Sequence, residues 1–189
     1  TALGDDLGLV QARWAHRSPR ASVRTRAQAL HLDAHFTLEQ QARSSSGLLM
    51  GFNGTAGVWR RACIEAAGGW EADTLTEDLD LAYRAQLAGW RLGYVETLAV
   101  DSELPDAMSA ISAQQHRWIR GGAQVARKLL GTLWRSEQPL RRKLQATAHL
   151  LSSSVYLPVL ALALALPALP IVLTWGPDWV LGGLGIVGW

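Results

Sequence analysis

Glu77, Asp78 and Asp80 put three acids in one stretch of chain, and an amide, a guanidinium and an indole follow at Gln114, Arg117 and Trp118. Carboxylates crowded into one helical turn repel each other and push a pKa up, while a helix N-terminus pulls it down. A carboxylate poised between those effects can take a proton from a hydroxyl group. Gln114, Arg117 and Trp118 are spaced i, i+3 and i+4, so a helix presents them on one face. An arginine fork there can grip a diphosphate, the amide can fix its orientation, and the indole offers a flat platform for a sugar ring. The same patterns also read as an acid-capped helix start and as an amphipathic helix with a core tryptophan.

The elements that must position these groups alternate. Residues 7–14 read as a strand and 21–42 as a helix, with breaks at Ser18-Pro19 and Ser44-Ser45-Ser46-Gly47. Residues 48–52 form a second apolar strand-like stretch ended by Asn53-Gly54, and residues 58–67 a short helix stopped by Gly68-Gly69. Thr74 and Glu77 stand at capping-box spacing, and Leu79, Ala82, Tyr83, Leu87 and Trp90 repeat on a helical period, which places Glu77 and Asp78 in a first turn. Residues 92–100 supply a further strand. The alternation predicts an α/β domain whose sheet is mixed or parallel.

Composition divides the 189 residues unevenly. Residues 144–177 contain no Asp, Glu, Lys or Arg, and the apolar run exceeds the ~20 residues that cross a bilayer. Residues 144–175 are therefore expected to form a transmembrane helix, and 176–189 to begin a second. Arg127, Lys128, Arg135, Arg141, Arg142 and Lys143 precede the run, which predicts a cytosolic soluble part at the plasma (inner) membrane. Within residues 113–143 the segment 119–134 is amphipathic, and Val125, Leu129, Leu130, Leu133 and Trp134 suit a helix lying in the membrane interface; a helix capping the domain is the other reading. A net charge of +2 gives no reason to expect nucleic acid. Cys63 is the single cysteine and is expected to be a small buried residue. The five histidines show no metal-ligand spacing, and Trp14, Trp59, Trp70 and Trp90 fit packing positions.

Thr76-Glu77-Asp78 and Gln114-x-x-Arg117-Trp118, preceded by Phe52-Asn53-Gly54-Thr55-Ala56-Gly57-Val58-Trp59-Arg60, resemble the second half of a family 2 glycosyltransferase of the processive, membrane-bound kind. The branch is that of the β-mannan and glucan synthases, relatives of cellulose synthase. Gln11-Ala12-Arg13-Trp14, His35-Phe36, Gly68-Gly69-Trp70, Asp80-Leu81, Gly89-Trp90 and Glu103-Leu104-Pro105 extend the resemblance over residues 7–128. It implies a partial GT-A-type domain in residues 1–112, a mixed sheet with flanking helices, joined to membrane helices. It further implies transfer of a hexose from a nucleotide sugar to a growing β-linked polysaccharide, with inversion. Asp78 would be the general base and Glu77 would help orient the acceptor. Gln114 and Arg117 would lie against the donor diphosphate, Trp118 under the acceptor sugar, and Phe52, Asn53, Gly54 and Thr55 along the acceptor site. The resemblance also implies Mg²⁺ or Mn²⁺, with ligands mostly upstream of Thr1, so that no metal ligand is expected in this chain, which is read as a fragment inactive alone. Asp5-Asp6 receive no site, because adjacent acids on an extended segment point to opposite sides. Two alternatives stand beside this reading: a non-processive transferase acting on a lipid or short acceptor, and a membrane-anchored relative without turnover.

Overall fold

The computed structural model describes residues 4–168, which fall into two compact units divided between Leu151 and Ser152. In the first, β1 (Leu7–Arg17) is the centre of a three-stranded sheet, with β2 (Gly57–Trp59) antiparallel on one side and β3 (Arg91–Glu103) parallel on the other. The sheet is therefore mixed. Pairing with β3 jumps from Ala12↔Val95 to Arg13↔Ala99, so Glu96, Thr97 and Leu98 lie outside the regular ladder.

The helix expected at 21–42 is α1 (Val23–Ala34), a π-helical segment (His35–Gln40) and α2 (Gln41–Ser45), end to end. Ser22 and Thr25 close a capping box at its start. The π segment carries Phe36 and Gln40 fully into the interior; such widened turns concentrate at functional sites.

Residues 48–52 join no strand, and residues 49–52 are buried. Their backbone is satisfied by side-chain amides instead: Gln86 accepts from Met50 N at 2.9 Å and donates to Met50 O at 2.8 Å, and Gln145 does the same for Leu49, both at 3.2 Å. A buried backbone must find partners somewhere, and two glutamines replace the missing ladder. The short helix expected over 58–67 begins later, because Val58 and Trp59 belong to β2; α3 runs Arg61–Ala66. Gly68 and Gly69, with φ of +87° and +81°, end it as expected.

Next, α4 (Glu77–Leu87) places Glu77, Asp78 and Asp80 in its first turn, but its N-cap is Thr76, and the box expected between Thr74 and Glu77 does not form. The long helix α5 (Met108–Arg135) carries both the Gln114 face and the amphipathic segment, and α6 (Leu140–Leu150) returns against it. Val125, Leu129 and Leu133 do not face lipid: with Leu49, Tyr83, Ala146 and Leu150 they form the core beneath α4. The domain-capping alternative fits that burial. The basic residues ahead of the apolar run also have local partners, since Arg142 donates to Gly47 O and Lys143 to Trp134 O.

The transmembrane helix expected over 144–175 is not continuous. Its first turns are α6, with Ala146 and Leu150 buried in the first unit. In the second unit a 3-10 turn (Ser152–Val155), α7 (Tyr156–Ala165) and another 3-10 turn (Leu166–Ala168) follow. Ten residues span about 15 Å, half a hydrocarbon core. Among the described residues no helix is long and apolar enough to cross a membrane. The remainder of that segment and the second span expected at 176–189 lie outside the described residues.

Candidate active site

Two adjoining clefts meet at Asp78. The first, of about 200 Å³, contains His31, His35, His149, Gln40 and Phe52 in its wall; the second, of about 240 Å³, contains Glu77, Gly54, Thr55, Gln114 and Arg117. Each is several times the roughly 30 Å³ of a water molecule. Trp14, Leu32, Asn53, Thr76, Asp78 and Trp118 line both. All nine residues singled out in the sequence thus line these clefts: Phe52 the histidine cleft, Glu77, Gly54, Thr55, Gln114 and Arg117 the arginine cleft, and Asp78, Asn53 and Trp118 both.

Asp78 is held by its own helix and by the 53–54 turn. Its Oδ1 accepts from Leu79 N at 2.8 Å. Gly54 has φ of +77°, and a Cβ there would stand 2.9 Å from Asp78 Oδ2, so glycine is required both for the turn and for the close approach. Burial pushes the Asp78 carboxyl above its ordinary 3.8, against the pull of the Leu79 N–H; Glu77 pushes the same way and the Arg117 guanidinium opposes it. Desolvation outweighs the crowding of acids expected from the spacing. Asp80 plays no part in that crowding. It is fully buried and salt-bridged to Arg84 at 2.7 Å and Lys128 at 3.1 Å.

One contact brings the second cluster to the first. Gly121, a turn beyond Trp118 on α5, faces the Thr76 cap so closely that a Cβ would lie 2.5 Å from Thr76 Cγ2. Alongside it, Gln124 Oε1 accepts from Leu75 N at 2.9 Å. Bare backbone at Gly121 therefore lets α5 lie on the start of α4, with Trp118 lining both clefts as Asp78 does and Arg117 exposed in the wall of the arginine cleft.

Asn53 is fixed by three polar neighbours. Gln40 Nε2 donates to Gly51 O at 2.9 Å and to Asn53 Oδ1 at 3.1 Å, and Gln11 Nε2 donates to the same Oδ1 at 2.7 Å. The Gly51 carbonyl fixes the Gln40 amide, which fixes Asn53 and turns its Nδ2 toward His35 Nε2 at 3.3 Å. His35 Nε2 is then an acceptor, and Nδ1–H donates to Glu39 at 3.0 Å. That bond is the largest cause holding the Glu39 carboxyl down at about 2.

Sequence reasoning set aside Trp14 as packing and the histidines as scattered, yet Trp14 lines both clefts and three histidines line one. One signal existed. Gln11 shares the face of β1 with Leu9, a core position by strand parity, and a polar residue there demands a buried partner. Nothing in the sequence signals that His149 reaches the site, since it arrives on α6.

Glu71, Asp73 and Asp80 bring carboxylate oxygens within 4.8 Å of one another, a donor set of the kind that holds a divalent ion. The group does not fit one here. The Lys128 ammonium already stands among them, at 2.6, 2.9 and 3.1 Å, and none of the three lines either cleft.

Residues 3–176 match the family model described as glycosyl transferase family group 2. Glucomannan 4-beta-mannosyltransferase 7 of Arabidopsis thaliana is 48% identical over 131 residues, covering 69% of this chain and 24% of that protein. Glucomannan 4-beta-mannosyltransferase 1 of Oryza sativa subsp. japonica is 47% identical over 133 residues, with 70% and 26% covered. Glucomannan 4-beta-mannosyltransferase 9 of Arabidopsis thaliana is 38% identical over 187 residues, with 92% and 34% covered. The chain thus spans about a quarter to a third of the length of these relatives.

Proposed function

Since the chain belongs to glycosyl transferase family group 2, we propose that it carries the acceptor and base half of a GT-A-type site that transfers a hexose, mannose by its relatives' names, from a nucleotide sugar to a β-linked polysaccharide. The observation that carries this reading is the position of Asp78 on the partition shared by the two clefts. In an inverting displacement the donor and the acceptor approach the anomeric carbon from opposite sides, and the base belongs on the acceptor side.

The arginine cleft suits the donor. Arg117 can bind the diphosphate as a fork, with Gln114 beside it, and Glu77 lies at its edge. The histidine cleft suits the acceptor, whose terminal ring rests on the Trp118 indole with Phe52 and Asn53 against it. Asp78, raised in basicity by burial, takes the acceptor hydroxyl's proton as that oxygen attacks, and the nucleoside diphosphate leaves. Attachment to a membrane is part of the same proposal, through α7, on which Leu157, Val159, Leu160, Leu162 and Leu164 are all exposed.

The test is transfer itself. The protein that carries this chain, supplied with GDP-mannose and a β-1,4-mannan oligosaccharide, lengthens the oligosaccharide. A ladder of long products supports polysaccharide synthesis, single additions support the non-processive alternative, and no transfer from any nucleotide sugar overturns the reading.

A further inference from the structure

The histidine cleft holds hydrogen-bonding groups that the reaction above leaves unused. Tyr83, fully buried on α4, has its hydroxyl 2.7 Å from His149 Nδ1 on α6. Among the described residues the phenol has no other hydrogen-bond partner, and a buried O–H without an acceptor is costly. The phenol therefore donates to Nδ1, and the imidazole carries its own proton on Nε2. Burial, with the Arg43 charge, pushes His149 down to about 3, so the ring stays neutral and that tautomer persists.

The Nε2–H has no protein acceptor among the described residues, and the ring lines the cleft. Gly51 keeps the ring edge clear: a Cβ there would lie 3.2 Å from His149 Cε1 and 3.0 Å from Leu79 Cδ1. Gln40 lines the same cleft, and its buried Oε1 has no hydrogen-bond partner, its Nε2 being engaged by Gly51 O and Asn53. The cleft thus offers one fixed donor and one fixed acceptor, with Trp14 and Phe52 in the same wall. A sugar hydroxyl both donates and accepts, and a pyranose adds an apolar face for the aromatics.

We propose that His149 is an acceptor-binding residue whose Nε2–H donates to an oxygen of the glycan ring in this cleft, with Gln40 Oε1 receiving a ring hydroxyl and Tyr83 as the positioning residue that sets the His149 tautomer. This rests on the glycosyltransfer reading above and names groups that reading did not assign. The pair fixes which ring oxygens fit, and so which acceptor the enzyme elongates.

The experiment measures separate KM values for GDP-mannose and for a β-1,4-mannan oligosaccharide with the protein that carries this chain. His149→Phe keeps a flat ring but removes the N–H, and it raises the KM for the oligosaccharide about tenfold, the worth of one such hydrogen bond, with the KM for GDP-mannose within twofold. His149→Gln restores an N–H donor and recovers part of the loss. Tyr83→Phe frees the tautomer and shifts the oligosaccharide KM in the same direction by less. Should His149→Phe fail to fold, Gly51→Ala, which crowds the ring edge, shows the same selective rise. An oligosaccharide KM within twofold of wild type in both His149→Phe and Gly51→Ala overturns this inference while wild-type transfer persists. Absence of transfer by the wild type overturns the reading beneath it as well.

Discussion

A base works in its ionised form, and burial disfavours that form of Asp78. The acid limb of kcat/KM is therefore expected at a pH above the ordinary 3.8, because activity is lost as pH falls through the raised pKa. Glu77 pushes that pKa up and Arg117 holds it down. Glu77→Gln is expected to move the acid limb to lower pH and Arg117→Gln to higher pH, checked by pH profiles of kcat/KM for the acceptor. Shifts in the reverse senses would remove Asp78 from the profile. The linkage runs the same way in stability. A carboxyl whose folded pKa exceeds its unfolded value destabilises the fold above the folded pKa and ceases to do so below the unfolded one. Asp78→Asn should accordingly be at least as heat-stable as wild type at neutral pH, an advantage that shrinks on acidification. The acids of this turn were legible in the sequence as a group, but not their division of labour. Asp80 is taken by Arg84 and Lys128, and the desolvation of Asp78 comes from a turn and a helix remote in sequence.

Two glycines set the distances between elements. Gly121→Ala forces a Cβ into the short Thr76 side chain, which has no flexible end to give way, and overpacking of this kind costs about 1–3 kcal/mol. The expected result is a fall in transfer larger than the fall in stability requires, because α5 moves Arg117 and Trp118 off the start of α4. Gly54→Ala adds left-handed strain of roughly 1–3 kcal/mol and displaces the Asp78 carboxylate. Thermal unfolding beside kinetics checks both. Asp80→Ala is expected to act on stability first: it removes the one fully buried carboxylate between Arg84 and Lys128, leaving them only the more exposed Glu71 and Asp73, and losing one partner of a buried ion network costs roughly 3 kcal/mol. Helical periodicity revealed α1, α4 and α5 and the acid turn. It could not reveal that residues 48–52 pair with glutamine side chains rather than a strand, since that depends on Gln86 and Gln145 arriving from α4 and α6. Nor does an apolar run distinguish lipid from core, which is why the face of α5 bearing Val125 and Leu129 reads as an interface helix until α6 is seen against it.

The first unit has its own core, closed by α4, α5 and α6. A chain cut after Leu151 is expected to unfold in one cooperative transition and to lose partitioning into lipid vesicles, whereas vesicle binding retained after the cut would separate the membrane proposal from α7. Motif order carried the site further than it carried the architecture. The nine residues named from sequence meet at two clefts, while the parts played by Trp14, Gln40 and His149 became visible only when β1, the π segment and α6 converged on Asn53 and Asp78. What the whole protein does with that convergence is tested most directly by Asp78→Asn, assayed together with titration of the nucleotide sugar. The asparagine is expected to bind the donor with an affinity within a few-fold of wild type while transfer to the oligosaccharide falls by about 10²–10⁴ or more, the contribution of a positioned general base. Transfer at the wild-type rate in Asp78→Asn would contradict the account.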